Sequence, residues 1–214
     1  MRANQYVTTT IDLLRHGECG DGHCYRGSTD VALSALGYQQ MLSSVEYLGA
    51  LSWDRIVSSP LQRCSKFSTE LATQQQKPIQ LESGFQELHF GDWEGQLIDH
   101  VWETQQVAVE RWFADSVNCP PPNGERADDF FLRVQQALIG NLSTTDNEHL
   151  LFVIHGGVIR AIMANCLSMS IVDMNRFEVP YACFSRIQVT YDKNSREYFY
   201  RLIAHNLAAV DSLI

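Results

Sequence analysis

Two short, largely apolar runs in this 214-residue chain end in the same dipeptide, and that coincidence restricts the fold more than any bulk property. Residues 8–14 are apolar and β-branched and lead into Arg15-His16-Gly17-Glu18. Residues 150–154 are wholly apolar and lead into His155-Gly156-Gly157. Each run predicts a buried strand, and each is followed by a loop or by the start of a helix. In open α/β sheets the carboxyl ends of strands are where ligands sit. A glycine turn into a helix also presents backbone N–H groups and a positive dipole end, which favours an anion. The expectation is two imidazoles on one sheet edge, beside an anion site.

The order of the other elements fits that edge. Ser34 reads as a helix N-cap followed by Tyr38, Met41, Val45 and Leu48 at helical spacing. Residues 55–58 predict a second strand, and Ser59-Pro60 behind it predict a helix beginning as cap and first position. Residues 78–82 predict a third strand, and residues 85–95 an aromatic, Gly-punctuated structured loop. Val101, Trp102, Gln105, Val109, Trp112 and Phe113 fit one helix face, which Pro120-Pro121-Pro122-Asn123-Gly124 is expected to end. Phe130, Phe131, Val134 and Leu138 give another helix, and Val158, Ile162 and Cys166 a third. Ile187, Val189 and Tyr191 alternate with polar residues, as do parts of 198–203, so a closing antiparallel hairpin is expected. Strand and helix alternate through most of the chain, which predicts a mostly parallel sheet covered by helices.

Bulk properties exclude whole classes. A formal net charge of −9 argues against a general nucleic-acid binder, which needs a broad basic face. Hydrophobic residues at 45% can build a sizeable core, so extensive disorder is not expected. The first five residues lack the apolar stretch of a signal peptide, and no apolar run approaches the roughly 20 residues of a membrane span. Six irregularly spaced cysteines without a C-x-x-C pair suit a reduced, cytoplasmic protein better than a stapled or zinc-bearing one.

Taken singly, a His-Gly at a strand end is more often a hydrogen-bonded structural histidine than a catalyst. Paired histidines also raise the possibility of zinc, but the i, i+4 pair of a zincin is missing. His23 beside Cys19 and Cys24 makes only a nominal donor set, so no metal is expected. Further strings sharpen the choice: Ser58-Ser59-Pro60-Leu61-Gln62-Arg63, and Glu87-Leu88-His89-Phe90-Gly91-Asp92-Trp93-Glu94-Gly95. In order with Arg15-His16-Gly17-Glu18 and His155-Gly156-Gly157, they resemble the histidine phosphatase superfamily over nearly the whole chain. Tyr25-Arg26-Gly27-Ser28-Thr29-Asp30, the segment 87–95 and Pro121-Pro122-Asn123-Gly124-Glu125 further resemble the α-ribazole-5′-phosphate phosphatases within it.

The resemblance implies a phosphoglycerate mutase-like, three-layer α/β/α sandwich, one domain over 1–214 with a small helical insertion near 97–125. It implies His16 as the residue that becomes phosphohistidine, with the next glycine's carbonyl holding its other ring proton. Arg15, Arg63 and His155 are implied around the phosphoryl oxygens, with Gly156 at the helix start, where bidentate guanidinium donors suit phosphate. Glu87 is implied as the proton donor, with Glu94 and Glu18 as rivals that also read as loop anchors. Many relatives carry an asparagine where this chain has Gly22, and Arg26 is the residue expected to supply the lost contact. Glu125 is left between a pocket role and a loop-capping role, and His89 reads as a loop anchor. No cofactor is implied.

The implied activity is phosphomonoester hydrolysis, with α-ribazole 5′-phosphate or the cobalamin phosphate as substrate. Broad-specificity phosphatase, mutase-type phosphotransfer and a silent binding protein are the rivals. The insertion carries Arg111 as its only basic residue besides His100, which favours hydrolysis over gripping a second phosphate. Trp93, Trp102, Trp112, Phe113 and Phe130 are expected either to line an apolar pocket or to fill the core. The expected partners are a small phosphomonoester, neither nucleic acid nor membrane, and a second copy if the tryptophan-bearing helix is exposed. The part played by Cys19 and Cys24 beside the site is open.

Overall fold

The computed structural model describes residues 5–47 and 52–207. In chain order the strands are β1 (Tyr6–Arg15), β2 (Arg55–Ser58), β3 (Ile79–Leu81), β4 (Glu148–Ile154), β5 (Phe184–Asp192) and β6 (Glu197–Leu207). The helices are α1 (Ala35–Tyr47), α2 (Gln62–Gln75), α3 (Ile98–Ala114), α4 (Ala127–Gly140) and α5 (Gly156–Cys166). The strands form one sheet in the order β3-β2-β4-β1-β5-β6. β3, β2, β4 and β1 are mutually parallel, and β5 and β6 close the sheet as an antiparallel hairpin. This is the expected α/β/α sandwich with a mostly parallel centre.

The apolar run of β4 explains why the sheet is covered twice. Side chains alternate across a strand, so Leu150, Phe152 and Ile154 enter one core with Phe130, Val134, Val158 and Ile162. Leu151 and Val153 enter the other, with Met41, Val45, Phe67 and Leu71. A strand apolar at every position is what a parallel sheet buried on both faces requires. Adjacent Leu13 and Leu14 of β1 divide between the same two cores.

Register brings the two strand ends together. β1 pairs with β4 so that Arg15 lies opposite Ile154, which leaves His16 and His155 side by side on the carboxyl edge. β2 pairs Ser58 with Val153, so Ser59 arrives at the same edge.

Ser34 caps α1 as expected, its hydroxyl accepting from Gly37 N at 3.0 Å, while Leu48 lies outside the described residues. Two helix boundaries differ from the sequence expectation. Ser59 and Pro60 do not open α2, which starts at Gln62. Ser59 N still follows the sheet, donating to Val153 O at 3.0 Å, and that ladder bond holds it extended. The amide of Gln62 is satisfied instead by Asp30 Oδ1 at 2.7 Å. The proline turn does not end α3 either, because that helix stops at Ala114. Asp115 ends it locally, its carboxylate accepting from Asn118 N and Nδ2 at 3.1 and 2.8 Å. Pro122 docks on the preceding loop, accepting from Asp92 N at 2.8 Å.

α3 bends at Gln105, whose φ and ψ are −134° and 31°, and Gln105 Oε1 accepts from Trp93 Nε1 at 2.9 Å. Trp93 is fully buried and belongs to the core. No helix among the described residues is long and apolar enough to cross a membrane.

Candidate active site

His16 leaves the end of β1 with its amide bound to Ile154 O at 2.9 Å. Its Nδ1 lies 2.7 Å from Gly17 O. A carbonyl only accepts, so the ring hydrogen sits on Nδ1 and the lone pair on Nε2. Gly17 has no room for a side chain, since a Cβ there would lie 2.6 Å from Gly37 Cα at the start of α1. Burial, followed by the charges of Arg15 and Arg63, holds the His16 pKa well below 6.5, so the ring is neutral near pH 7.

His155 occupies the N-cap position of α5, and its ring meets that of His16 edge-on with centroids 5.2 Å apart. Arg63 Nε donates to His155 Nδ1 at 3.2 Å. Arginine cannot accept, so Nε2 carries the hydrogen and donates it to Ser59 Oγ at 2.7 Å. Burial, then Arg63, holds this imidazole well below its ordinary pKa as well. Arg63 spends further donors on Thr29 O and Gly27 O, at 2.8 and 2.6 Å. Both residues are fully buried. They stand behind the cavity wall, where Arg63 ties the 26–29 loop and fixes the tautomer of His155.

In front of them opens a cavity of about 440 Å³. His16, Arg15, Gly156, Glu87 and Arg26 all reach its wall. Arg15 Nη1 donates to Val179 O at 2.6 Å, and its buried Nε has no protein acceptor among the described residues. That N–H and the N-terminus of α5 are donors suited to a phosphoryl oxygen. Arg26 pairs with Asp21, with Nε 2.9 Å from Oδ2, and donates to Gly22 O at 2.6 Å. Gly22 itself does not reach the wall. Its φ of +84° lets the turn place the carbonyl under Arg26.

Glu87 reaches the same cavity as His16 from the loop after β3. Its Oε2 accepts from Gly157 N at 2.9 Å and its Oε1 from Leu88 N at 3.0 Å. A Cβ at Gly157 would overlap Oε1 and lie 3.1 Å from Cδ, so only a glycine leaves the carboxyl in this place. The loop is fixed from outside by Arg133, which donates to Gly84 O, Gln86 O and Glu87 O at 3.1, 2.7 and 3.0 Å. Glu125 holds Arg133, at 2.6 and 2.8 Å, and accepts from His89 N at 3.3 Å, so it secures the loop. Glu94 accepts from Ser28 N, Thr29 N and Phe90 N, joining two loops, and Glu18 pairs with Ser34 at the α1 cap. His89 Nδ1 anchors Gly91 N at 3.2 Å.

The far wall is apolar. Phe90, Ile98, Trp102, Trp112, Phe113 and Phe130 line it. Trp102 and Phe113 stack at 5.8 Å with 21° between their planes while 36% and 47% exposed. Cys24 sits on the wall with its thiol on Asp21 O at 3.0 Å, and buried Cys19 lies 4.0 Å from His16 Nδ1.

Arg160 and Tyr181 also reach the cavity wall, and Ser59 joins the site through His155. Arg160 was legible in principle, as the one cation on the apolar pattern of α5. Tyr181, in the loop before β5, carries no sequence signal.

A family model for the histidine phosphatase superfamily (branch 1) matches residues 11–200. The adenosylcobalamin/alpha-ribazole phosphatase of Escherichia coli K12 is 29% identical over 181 residues, covering 83% of this chain and 88% of that protein. The glucosyl-3-phosphoglycerate phosphatase of Mycolicibacterium vanbaalenii is 29% identical over 169 residues, covering 74% of each. The solved alpha-ribazole phosphatase from Shigella flexneri superposes with a TM-score of 0.76 at 26% identity, covering 92% of this chain and 96% of that one.

Proposed function

The chain belongs to the histidine phosphatase superfamily, and on that premise we propose that it hydrolyses phosphomonoesters through a phosphohistidine, with α-ribazole 5′-phosphate as substrate. The observation that carries the chemistry is the tautomer of His16. With Nδ1–H committed to Gly17 O, Nε2 offers its lone pair beside Arg15 and the α5 N-terminus. In the first step Nε2 bonds to phosphorus while the ester P–O bond breaks. An alkoxide leaves badly, so Glu87 gives it a proton. In the second step the Glu87 carboxylate takes a proton from water, whose oxygen attacks the phosphohistidine and frees Nε2. Arg15, with the helix terminus, neutralises the phosphoryl oxygens, and such preorganised charge is usually the largest catalytic term. The His16 and His155 rings stay neutral by burial, so the nucleophile is ready at neutral pH.

The aromatic wall supports a substrate whose leaving group carries a flat apolar base. Stacking of a base on such side chains is worth about 1–3 kcal/mol each. The E. coli and Shigella relatives point to the same substrate by their names. The mycobacterial relative, named for glucosyl-3-phosphoglycerate, marks the alternative that the experiment has to separate.

The test is kcat/KM on α-ribazole 5′-phosphate beside glucosyl-3-phosphoglycerate, phosphoserine, sugar phosphates and p-nitrophenyl phosphate. Strong preference for the ribazole ester supports the substrate, and selectivity near unity removes it while leaving the phosphatase. Transfer between phosphoglycerates with little phosphate release restores the mutase. An acid-labile, base-stable phosphoenzyme that disappears in His16→Ala supports the mechanism. Wild-type turnover by that variant overturns it.

A further inference from the structure

The residue beside the nucleophile that no motif announces is Tyr181, in Val179-Pro180-Tyr181-Ala182-Cys183. That segment runs between the 3-10 turn Ile171–Arg176 and β5, and it is clamped to Arg15 and His16 at three points. Arg15 Nη1 donates to Val179 O at 2.6 Å, Ala182 N to His16 O at 3.2 Å, and Arg15 N to Cys183 O at 3.0 Å. Ala182 is held at φ +53°, a conformation that non-glycine residues adopt at a cost and that collects at functional sites. The clamp therefore places Tyr181, and little freedom remains in where its ring lies.

The ring reaches the cavity wall. The Arg15 guanidinium carbon stands 4.2 Å from its centroid, and the His16 ring is 5.8 Å away. Its hydroxyl accepts from Arg26 Nη1 at 3.2 Å. The N–H is the donor in that bond, so the phenolic O–H is not used in it. Among the described residues no acceptor takes it. The phenol is thus held by two guanidinium groups, Arg15 over its ring and Arg26 at its hydroxyl, on the cavity wall that the nucleophile shares, with a free O–H donor.

We propose that Tyr181 is a catalytic residue that donates its phenolic O–H to a non-bridging oxygen of the phosphoryl group transferred to His16. The assignment rests on the phosphohistidine reading of the same cavity. Arg26, already paired with Asp21, holds the phenol and polarises it, so the cation acts on the phosphoryl group through the tyrosine. An O–H to a charged oxygen is a short, strong bond, and losing one costs about ten- to hundredfold in affinity or rate.

Tyr181→Phe separates the hydroxyl from the ring, since phenylalanine keeps the face under Arg15. The expected result is a kcat/KM lower by about ten- to hundredfold, weaker inhibition by orthovanadate in similar proportion, and an unchanged melting temperature. Tyr181→Leu, which also removes the ring, is expected to lose more. A Tyr181→Phe enzyme whose kcat/KM and vanadate inhibition match the parent overturns the assignment. Wild-type enzyme run in parallel separates the two failures. No phosphohistidine in the wild type overturns both readings, and a phosphohistidine with an unaffected Tyr181→Phe overturns only that of Tyr181.

Discussion

Gly157→Ala is the substitution whose effect the geometry makes most specific. The added Cβ would overlap Glu87 Oε1 and stand 3.1 and 3.3 Å from Cδ and Oε2. The glycine is helical, so its backbone does not yield readily, and the carboxyl must swing away by about 1 Å. A displacement of that size at a reacting group costs about 10²-fold. The swing also breaks the Gly157 N to Oε2 bond at 2.9 Å, worth about 1.5–3 kcal/mol for a charged acceptor. A general acid contributes about 10²–10⁴ in all, so a loss near 10² in kcat/KM on an alkyl phosphomonoester is expected. Helix propensity offsets part of that loss, since alanine gains up to about 1 kcal/mol over glycine, so the melting temperature is expected to fall only by a few degrees. The assay is the ratio of kcat/KM on an alkyl ester to kcat/KM on p-nitrophenyl phosphate, whose leaving group departs without protonation; kcat/KM ends at the phosphohistidine, so the later work of Glu87 as base, shared by both esters, does not enter it. The ratio should drop with the alkyl rate while the aryl ester is largely spared. Equal losses on both substrates, or parental rates on both, would refute the placement of Glu87 as acid.

Other consequences follow from charge and burial. His16 and His155 are held below their ordinary pKa by burial first and neighbouring guanidinium groups next. The unfolded chain therefore binds protons below about pH 6.5 that the folded chain refuses, and unfolding free energy falls with pH there by up to about 1.4 kcal/mol per unit per histidine. Urea midpoints across pH 7.5 to 5 should show this, with a shallower slope in His16→Ala; equal slopes contradict it. Asp12→Ala removes a fully buried carboxylate that accepts from Arg186 at 2.6 and 2.9 Å and from Trp53 at 2.8 Å, and that pairs with His149 at 2.7 Å. It should cost about 3–5 kcal/mol in urea unfolding, the lower end because Arg186 and His149 remain 27% and 23% exposed. Phe113→Ala should raise KM about tenfold for a substrate bearing an aromatic base and leave KM for phosphoserine unchanged; equal shifts would remove the aromatic wall from recognition. Dialysis against EDTA should leave the rate intact, because guanidinium groups supply the positive charge, and activity restored only by added Mg²⁺ or Zn²⁺ would refute that.

What the amino-acid order determines by itself is everything carried by local pattern. An apolar strand followed by His-Gly is legible at His16 and at His155, and the alternation of strands and helices is legible along most of the chain. Ser34 is legible as a cap because its hydroxyl meets an amide three residues on. Glu94 and His89 are legible as anchors because loop carboxylates and imidazoles find nearby backbone N–H groups.

Tertiary structure decided what depends on partners distant in sequence. Ser59 reads as a cap, yet the pairing of β2 with β4 keeps it extended and points its hydroxyl at His155. Arg63 reads as a phosphate clamp, yet burial behind His155 commits it to loop carbonyls and to the histidine tautomer. Glu125 becomes a loop fastener only because Arg133 on α4 reaches the carbonyls of the acid loop. The division among the aromatics, with Trp93 in the core and Trp102 and Phe113 on the cavity wall, follows from tertiary packing and not from their spacing. Tyr181 belongs to the site only because Arg15 and His16 bind the backbone on both sides of it. Periodicity tells which face of an element is buried, whereas the direction of a polar side chain at a crowded edge is set by which donors and acceptors the fold brings there.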